Sequence, residues 1–144
     1  MTENIYHQEQ YHIDTLGRSS IEISQRLHAA VDSAGVLNGL CHVFIHHTSA
    51  SLMICENAAS EVRDDLESFF SRLILDGDPL FSHTDEGADD MPAHIRSVLT
   101  QTELSIPIID GRLALGTWQG VYLWEHRTSP HLRDISITIH GLGG

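Results

Sequence analysis

Three of the eleven histidines in this 144-residue chain stand where imidazole could do chemistry: His47 at the end of an alternating strand, His83 in an acidic loop, and His94 just inside the next helix. Imidazole binds zinc and other transition metals and moves protons near neutral pH. His46 and His47 are neighbours on a strand, so their side chains oppose and only one can enter a given site. His47 continues the apolar face of Cys41, Val43 and Ile45 to the strand's end, where a rim site would form. His83 and His94 flank Asp85, Glu86, Asp89 and Asp90, and a loop histidine and a helix histidine on either side of carboxylates can converge on one ion. Their spacing is not diagnostic in the way HExxH or paired CxxC is, so a metal, catalytic or structural role stays open for each. The carboxylate run could hold Mg²⁺ through waters, although charge alone favours a solvated loop. His7, His12, His28, His42, His131 and His140 read as surface or structural.

A second concentration of polar chemistry is Gly111 to Arg127, GRLALGTWQGVYLWEHR. Read as one strand from about Thr117, it puts Thr117, Gln119, Val121, Leu123 and Glu125 on one face and Trp118, Tyr122, Trp124 and His126 on the other. The first face is apolar in the middle and polar at both ends. The second is an aromatic stripe that suits packing or a subunit interface. Glu56 and Asn57 end the strand that starts at Ala50, where they could reach a rim site or cap the chain. Ser49 and Ser51 lie beside His47, but no GxSxG elbow is present and neighbours in sequence do not make a triad, so acyl transfer is not expected.

Eight arginines, no lysine and twenty carboxylates give a net charge of -12, which argues against binding nucleic acid or an anionic membrane. Without lysine no Schiff base or P-loop lysine can be built, so any phosphate must be held by arginine, backbone N–H groups, histidine or a metal. The polar start MTENIYHQEQYHID has no secretory pattern and no apolar run is long enough to span a membrane, so a soluble cytoplasmic protein is expected. Cys41 and Cys55 fit a reducing compartment as two apolar thiols, with a redox pair across a hairpin as the alternative.

The elements that must position these groups follow from periodicity, and one domain accommodates them all. Strands are expected at Tyr6 to Thr15, Gly39 to His47, Ala50 to Cys55, Glu103 to Ile109, Arg112 to Thr117, Gln119 to His126 and Asp134 to His140, with the second and third forming a hairpin through Thr48-Ser49. A helix from Ser24 to Ala34 should stop at Gly35. Ser60 to Leu75 should bury Val62, Leu66, Phe69, Phe70 and Leu73. After the loop Asp76 to Asp90, too long for a simple turn, a helix should start near Met91 or Pro92 with Asp89 or Asp90 as its cap and Ile95, Val98 and Leu99 inward. Short turns between strands favour an α+β fold: an antiparallel β-sandwich, jelly-roll-like, with two to three flanking helices.

Taken together, the blocks His47-Thr48-Ser49-Ala50-Ser51-Leu52, Glu56-Asn57-Ala58, His83-Thr84-Asp85-Glu86-Gly87, Asp90-Met91-Pro92-Ala93-His94-Ile95 and Gly111 to Gly120 with Glu125-His126-Arg127 closely resemble the YjbQ-like family, also called the secondary thiamine-phosphate synthase family. The resemblance spans nearly the whole chain. It implies a homotrimer with a polar cleft in which His47, His83 and His94 hold a divalent ion. It also implies weak thiamine-phosphate synthase activity, joining an aminopyrimidine diphosphate to a thiazole phosphate with release of pyrophosphate. Carried onto this chain, Glu56, Gln119, Glu125 and Arg127 are the expected catalytic or substrate-orienting residues, helped by Thr117 and, for anion binding, by the start of the Met91 helix. His46 stands where the family motif often has proline and is set aside, and His126 ranks below Glu125. An all-histidine site prefers zinc, whereas diphosphate transfer usually employs Mg²⁺, so zinc is expected first and magnesium second. A non-catalytic trimeric metal- or ligand-binding protein and a metal-dependent hydrolase are the alternatives.

Overall fold

Period-two alternation of apolar residues builds the larger of two sheets. In the computed structural model, which describes residues 2–144, β1 (Glu3–Asp14), β8 (Leu132–Gly143), β3 (Val36–Ile45), β5 (Glu103–Ile109) and β6 (Arg112–Leu113) lie side by side in that order. The smaller sheet has the order β2 (Ser19–Glu22), β7 (Gln119–Glu125), β4 (Ala50–Glu56), and every pairing is antiparallel. Cys41, Val43 and Ile45 of β3, Ile106 and Ile108 of β5, and Ile135, Ile137 and Ile139 of β8 all face inward and meet Leu52 of β4 and Val121 and Leu123 of β7. The helices are α1 (Ser24–Ala34), α2 (Ser60–Leu73) and α3 (Asp90–Leu99). Leu27, Ala30 and Val31 of α1 join this core, and α1 ends at Gly35 with φ 71°, a left-handed cap that only glycine adopts cheaply. The α+β sandwich expected from the sequence is the observed fold, and among the described residues no helix is long and apolar enough to cross a membrane.

Several expectations change. The β3–β4 hairpin does not form: β3 pairs with β5 and β8 while β4 pairs with β7, so residues 46–49 carry the chain from one sheet to the other. Both strands have apolar residues for the same core, and packing them face to face buries both, which edge pairing would not. Cys41 and Cys55 are therefore not cross-strand neighbours, and both are free thiols. The strand expected over Arg112 to Thr117 stops at Leu113; Thr117 and Trp118 lie in the link to β7, with Trp118 exposed. β2 was not anticipated, being short and half polar, yet it pairs with β7 from Ser19↔Glu125 to Glu22↔Tyr122.

The helices also turn differently. α2 ends at Leu73 and has no fully buried residue; Phe69 and Leu73 are exposed, and Phe70 is the ring that meets Trp124 edge-on at 5.0 Å. Arg63 stacks on Tyr122 at 4.7 Å, and the Trp124 indole N–H donates to Glu67 Oε1 at 3.1 Å. The aromatic face of β7 is thus intramolecular packing beneath α2. α3 inverts the expected face: Val98 and Leu99 are exposed, while Ala93, Arg96 and Ser97 point inward. Small side chains let α3 approach β4, and Arg96, fully buried, donates to Glu67 at 2.8 Å and Ser71 at 3.0 Å of α2. Asp89 precedes α3 but makes no side-chain cap, because its carboxylate is committed to Arg127.

One ion pair crosses between the sheets. Glu125 at the end of β7 and Arg133 at the start of β8 are both buried, and Arg133 donates to the Glu125 carboxylate through Nε at 2.8 Å and again through Nη2. Thr15 Oγ1 at 2.6 Å and the Arg127 N–H at 3.1 Å also donate to it. Burial alone would raise the Glu125 pKa, but these donors outweigh it and hold the carboxyl below its usual range. Arg133 Nη2 further binds the carbonyl and hydroxyl of Ser49, fixing the sheet-crossing link. Close by, His126 is fully buried, with Nε2 2.8 Å from Ser51 Oγ. Burial first, and then the charges of Arg96, Arg18 and Arg133, push its pKa down to about 3.

Removing one partner of the cross-sheet pair strands the other charge in the core, so Arg133→Met should cost about 3–5 kcal/mol in urea unfolding, with Glu125→Leu added to it recovering a large part. The neutral His126 has the opposite linkage to a paired base. Its folded pKa lies below its unfolded value, so its contribution is intact above pH 6.5 and is lost as pH falls toward 3. Over that window wild-type stability should fall more steeply than that of His126→Phe, by up to about 1.4 kcal/mol per pH unit. Parallel slopes would show that this imidazole is not buried neutral.

Candidate metal centre

Asp90 and His94 are one turn apart on α3 and therefore share a face. The loop before α3 brings His83 back to that face, and its ends are pinned. Arg18 forms two bonds of 2.7 Å to Asp76, the Gly77 N–H donates to Ala88 O at 3.0 Å, and Arg127 donates to Asp89 at 2.9 Å and to the Glu86 carbonyl at 3.0 Å. The Thr128 N–H donates to Asp89 at 2.9 Å. The Asp89 carboxyl is accordingly held far below its usual range: these donors outweigh the opposing effect of burial.

The result is a three-residue constellation. His83 Nε2 lies 2.8 Å and His94 Nε2 3.1 Å from the same oxygen, Asp90 Oδ2. One ligand atom from each of His83, Asp90 and His94 falls within 4.8 Å of the others. The tautomer of His94 is fixed from behind, since Nδ1 lies 2.9 Å from the Thr48 carbonyl, which can only accept. Neutral His94 therefore turns an unprotonated Nε2 toward a carboxylate oxygen, two acceptors face to face, and only a proton or a cation relieves that opposition. A backbone carbonyl behind a histidine that faces a carboxylate is also the arrangement of metal-ligating histidines. Burial works against the Asp90 carboxylate, but the His83 hydrogen bond and the neighbouring His94 and Arg127 hold its pKa below the usual range. Arg127 Nη1 takes the other oxygen, Oδ1, at 3.1 Å and leaves Oδ2 to the histidines. By donor chemistry and spacing these residues fit a divalent cation.

Of the three expected ligands, the structure brings His83 and His94 together and keeps the His47 nitrogens elsewhere. His47 Nε2 accepts the Asp134 N–H at 2.8 Å, and Nδ1 faces Arg133 Nη1 at 3.3 Å. Burial and the Arg133 charge both disfavour its protonation and lower its pKa. His47 nevertheless lines one cavity with His94, about 430 Å³, bounded also by Thr48, Ser97, Val98 and Thr102. Asp90 is the residue that sequence reasoning missed. Its sequence context suits a helix cap or one of several carboxylates that could hold Mg²⁺ through waters, and its four-residue spacing from His94 is the signal that singles it out.

The four expected catalytic residues separate. Glu56 and Gln119 pair across β4 and β7 at one end, whereas Ala50↔Glu125 marks the other, six residues or about 20 Å away. Glu56 Oε2 accepts the N–H groups of Ala58 and Ala59 at 3.0 and 2.8 Å, and Gln119 accepts the Gly116 N–H at 2.7 Å, so both organise turns far from the histidines. Glu125 is at the right end but is buried, each oxygen taken by two donors. Arg127 is near the centre, with its guanidinium spent on Asp89, Asp90 and Glu86.

Comparison with known proteins agrees with the fold and the motifs. Residues 9–142 match the family described as UPF0047 protein YjbQ-like. UPF0047 protein sll1880 of Synechocystis sp. is 51% identical over 135 residues, 94% of this chain and 92% of that protein. UPF0047 protein YjbQ of Escherichia coli O157:H7 is 44% identical over 115 residues, 80% of this chain and 83% of that one. Among solved structures, an uncharacterized conserved protein of the YjbQ/UPF0047 family from Clostridium acetobutylicum superposes with a TM-score of 0.84 at 31% identity, over 91% of this chain and 98% of its own. With a family match over nearly its full length and relatives of this similarity, the chain belongs to the YjbQ/UPF0047 family.

Proposed function

We propose that this chain is a divalent-metal-dependent enzyme acting on a small phosphorylated substrate. The secondary thiamine-phosphate synthase reaction is the activity to test first. One observation carries the reading: two imidazoles converge on a single buried carboxylate oxygen while a carbonyl fixes the tautomer of one of them. A cation held by His83, Asp90 and His94 would supply positive charge against a phosphate or departing diphosphate. The chain supplies the rest. Arg127 holds the Asp90 carboxylate in place, Thr48 orients His94, and His47, Thr48 and Thr102 line the adjoining cavity. Two imidazoles favour zinc over magnesium.

The alternative, a non-catalytic binding protein, draws support from how many polar groups are already paired internally at the centre. The uncovered face of the five-stranded sheet, where Tyr6, Leu40, Phe44 and Leu142 are exposed, supports self-association, and a homotrimer in the cytoplasm is the assembly we propose.

Purified untagged protein should carry close to one zinc per chain by elemental analysis. A ligand at about 100 times its Kd adds roughly 2.7 kcal/mol, so chelation should lower Tm by about 5–10 °C. His94→Ala should lose metal and synthase turnover together. Loss of Tm on chelation with no turnover would favour the binding protein, and a chain that binds no metal would remove the proposal. Sedimentation should give three times the 16.0 kDa chain mass.

A further inference from the structure

Building on the metal-dependent reading, we infer that Asp90 is the third and last protein ligand, that His47 is a wall residue, and that the remaining coordination positions receive an anionic substrate through two oxygens at once. Three protein donors fall short of the four or more ligands that zinc and its first-row neighbours take, so further donors must come from outside the chain. Several neighbouring oxygens of the chain are already occupied. Asp90 Oδ1 and Asp89 belong to Arg127, Glu125 is enclosed by Thr15, Arg127 and Arg133, and the Thr48 carbonyl accepts from His94.

His47 could enter only by giving up the Asp134 N–H, a bond of 2.8 Å, and swinging away from the buried Arg133. The Arg133 guanidinium cannot follow, because Nε and Nη2 are locked onto Glu125 and Ser49. The Asp134 N–H thus holds, at Nε2, the ring that the family resemblance nominates as a ligand.

The centre opens on two sides. His94 lines the cavity of about 430 Å³ that His47 bounds, and His83 lines a second of about 330 Å³ with Pro79, Phe81 and Thr84. Donors can therefore approach from either flank, and a substrate held through two oxygens occupies adjacent positions without displacing a protein ligand. A divalent ion and Arg127 together balance the carboxylates of Asp89, Asp90 and Glu86, so no net negative charge opposes an anionic chelating group at the ion. A diphosphate and a 1,2-dicarboxylate or hydroxy-acid unit share this chemistry.

The test uses the whole chain stripped of metal and reloaded with Co²⁺, whose visible spectrum reports its ligands. Wild type and His47→Ala should bind one Co²⁺ with affinities within about threefold of each other, while Asp90→Asn should weaken binding at least a hundredfold. Circular dichroism and Tm confirm folding of each variant. Pyrophosphate or oxalate, in separate arms, should shift the wild-type spectrum, and orthophosphate or acetate at equal concentration should not. A response to pyrophosphate alone assigns the diphosphate, and to oxalate alone the carboxylate pair. Loss of Co²⁺ by His47→Ala as complete as by Asp90→Asn, or a spectrum that neither bidentate anion moves, would overturn the inference. A wild type that binds no Co²⁺ would instead sink the metal-dependent reading beneath it.

Discussion

The cross-sheet pair of Glu125 and Arg133 is the constraint on which the site depends. Burying two opposite charges is expensive, several kcal/mol per ion before their attraction is counted, and the cost is offset only when each lone pair and N–H finds a partner. Here nearly all do. The pair joins β7 of one sheet to β8 of the other, and through Ser49 it sets the path of residues 46–49 between β3 and β4. That path presents the Thr48 carbonyl to His94 and turns the His47 ring against Arg133. A geometry that reads as local at the histidines is imposed from the core.

A second clamp acts on the outer side. Arg127, two residues beyond Glu125, gathers Asp89, Asp90 and the Glu86 carbonyl, so the acidic loop is shaped around one guanidinium. The chain's excess of carboxylates therefore does not leave this segment as a merely solvated charge run. Two positive side chains on either side of Glu125 divide the work, one directed into the sandwich and one toward the loop. Glu125, at the polar end of its strand face, is buried and has both oxygens engaged by donors from three other residues.

Much of the fold was legible. Alternating isoleucines in β8 and the Cys41, Val43, Ile45 series of β3 declare one dry face each, and helical spacing located α1 and α2. Strand partners were not legible, because alternation specifies which face is buried and leaves open which edge pairs. The short link at Thr48-Ser49 therefore looked like a hairpin turn when it is a step between sheets. α3 was misturned for a related reason: Arg96 is inside because Glu67 and Ser71 of α2 receive it, and no local pattern in α3 announces them. At the site, His83 and His94 stood out as the histidines bracketing carboxylates. Asp90 stands among chemically equivalent neighbours; its four-residue spacing from His94 is the one local signal, and the three-dimensional return of the loop with His83 completes the distinction.

The central claim is that His83, Asp90 and His94 form one cation site from which His47 is excluded. It is tested most directly by long-range ¹H–¹⁵N NMR of the histidine side chains during titration of metal-free protein with Zn²⁺. The Nε2 resonances of His83 and His94 should move together and stop at one equivalent, with the nitrogens of His47 nearly stationary. Equal movement of His47 Nε2, or no saturable change at either His83 or His94, would contradict the account.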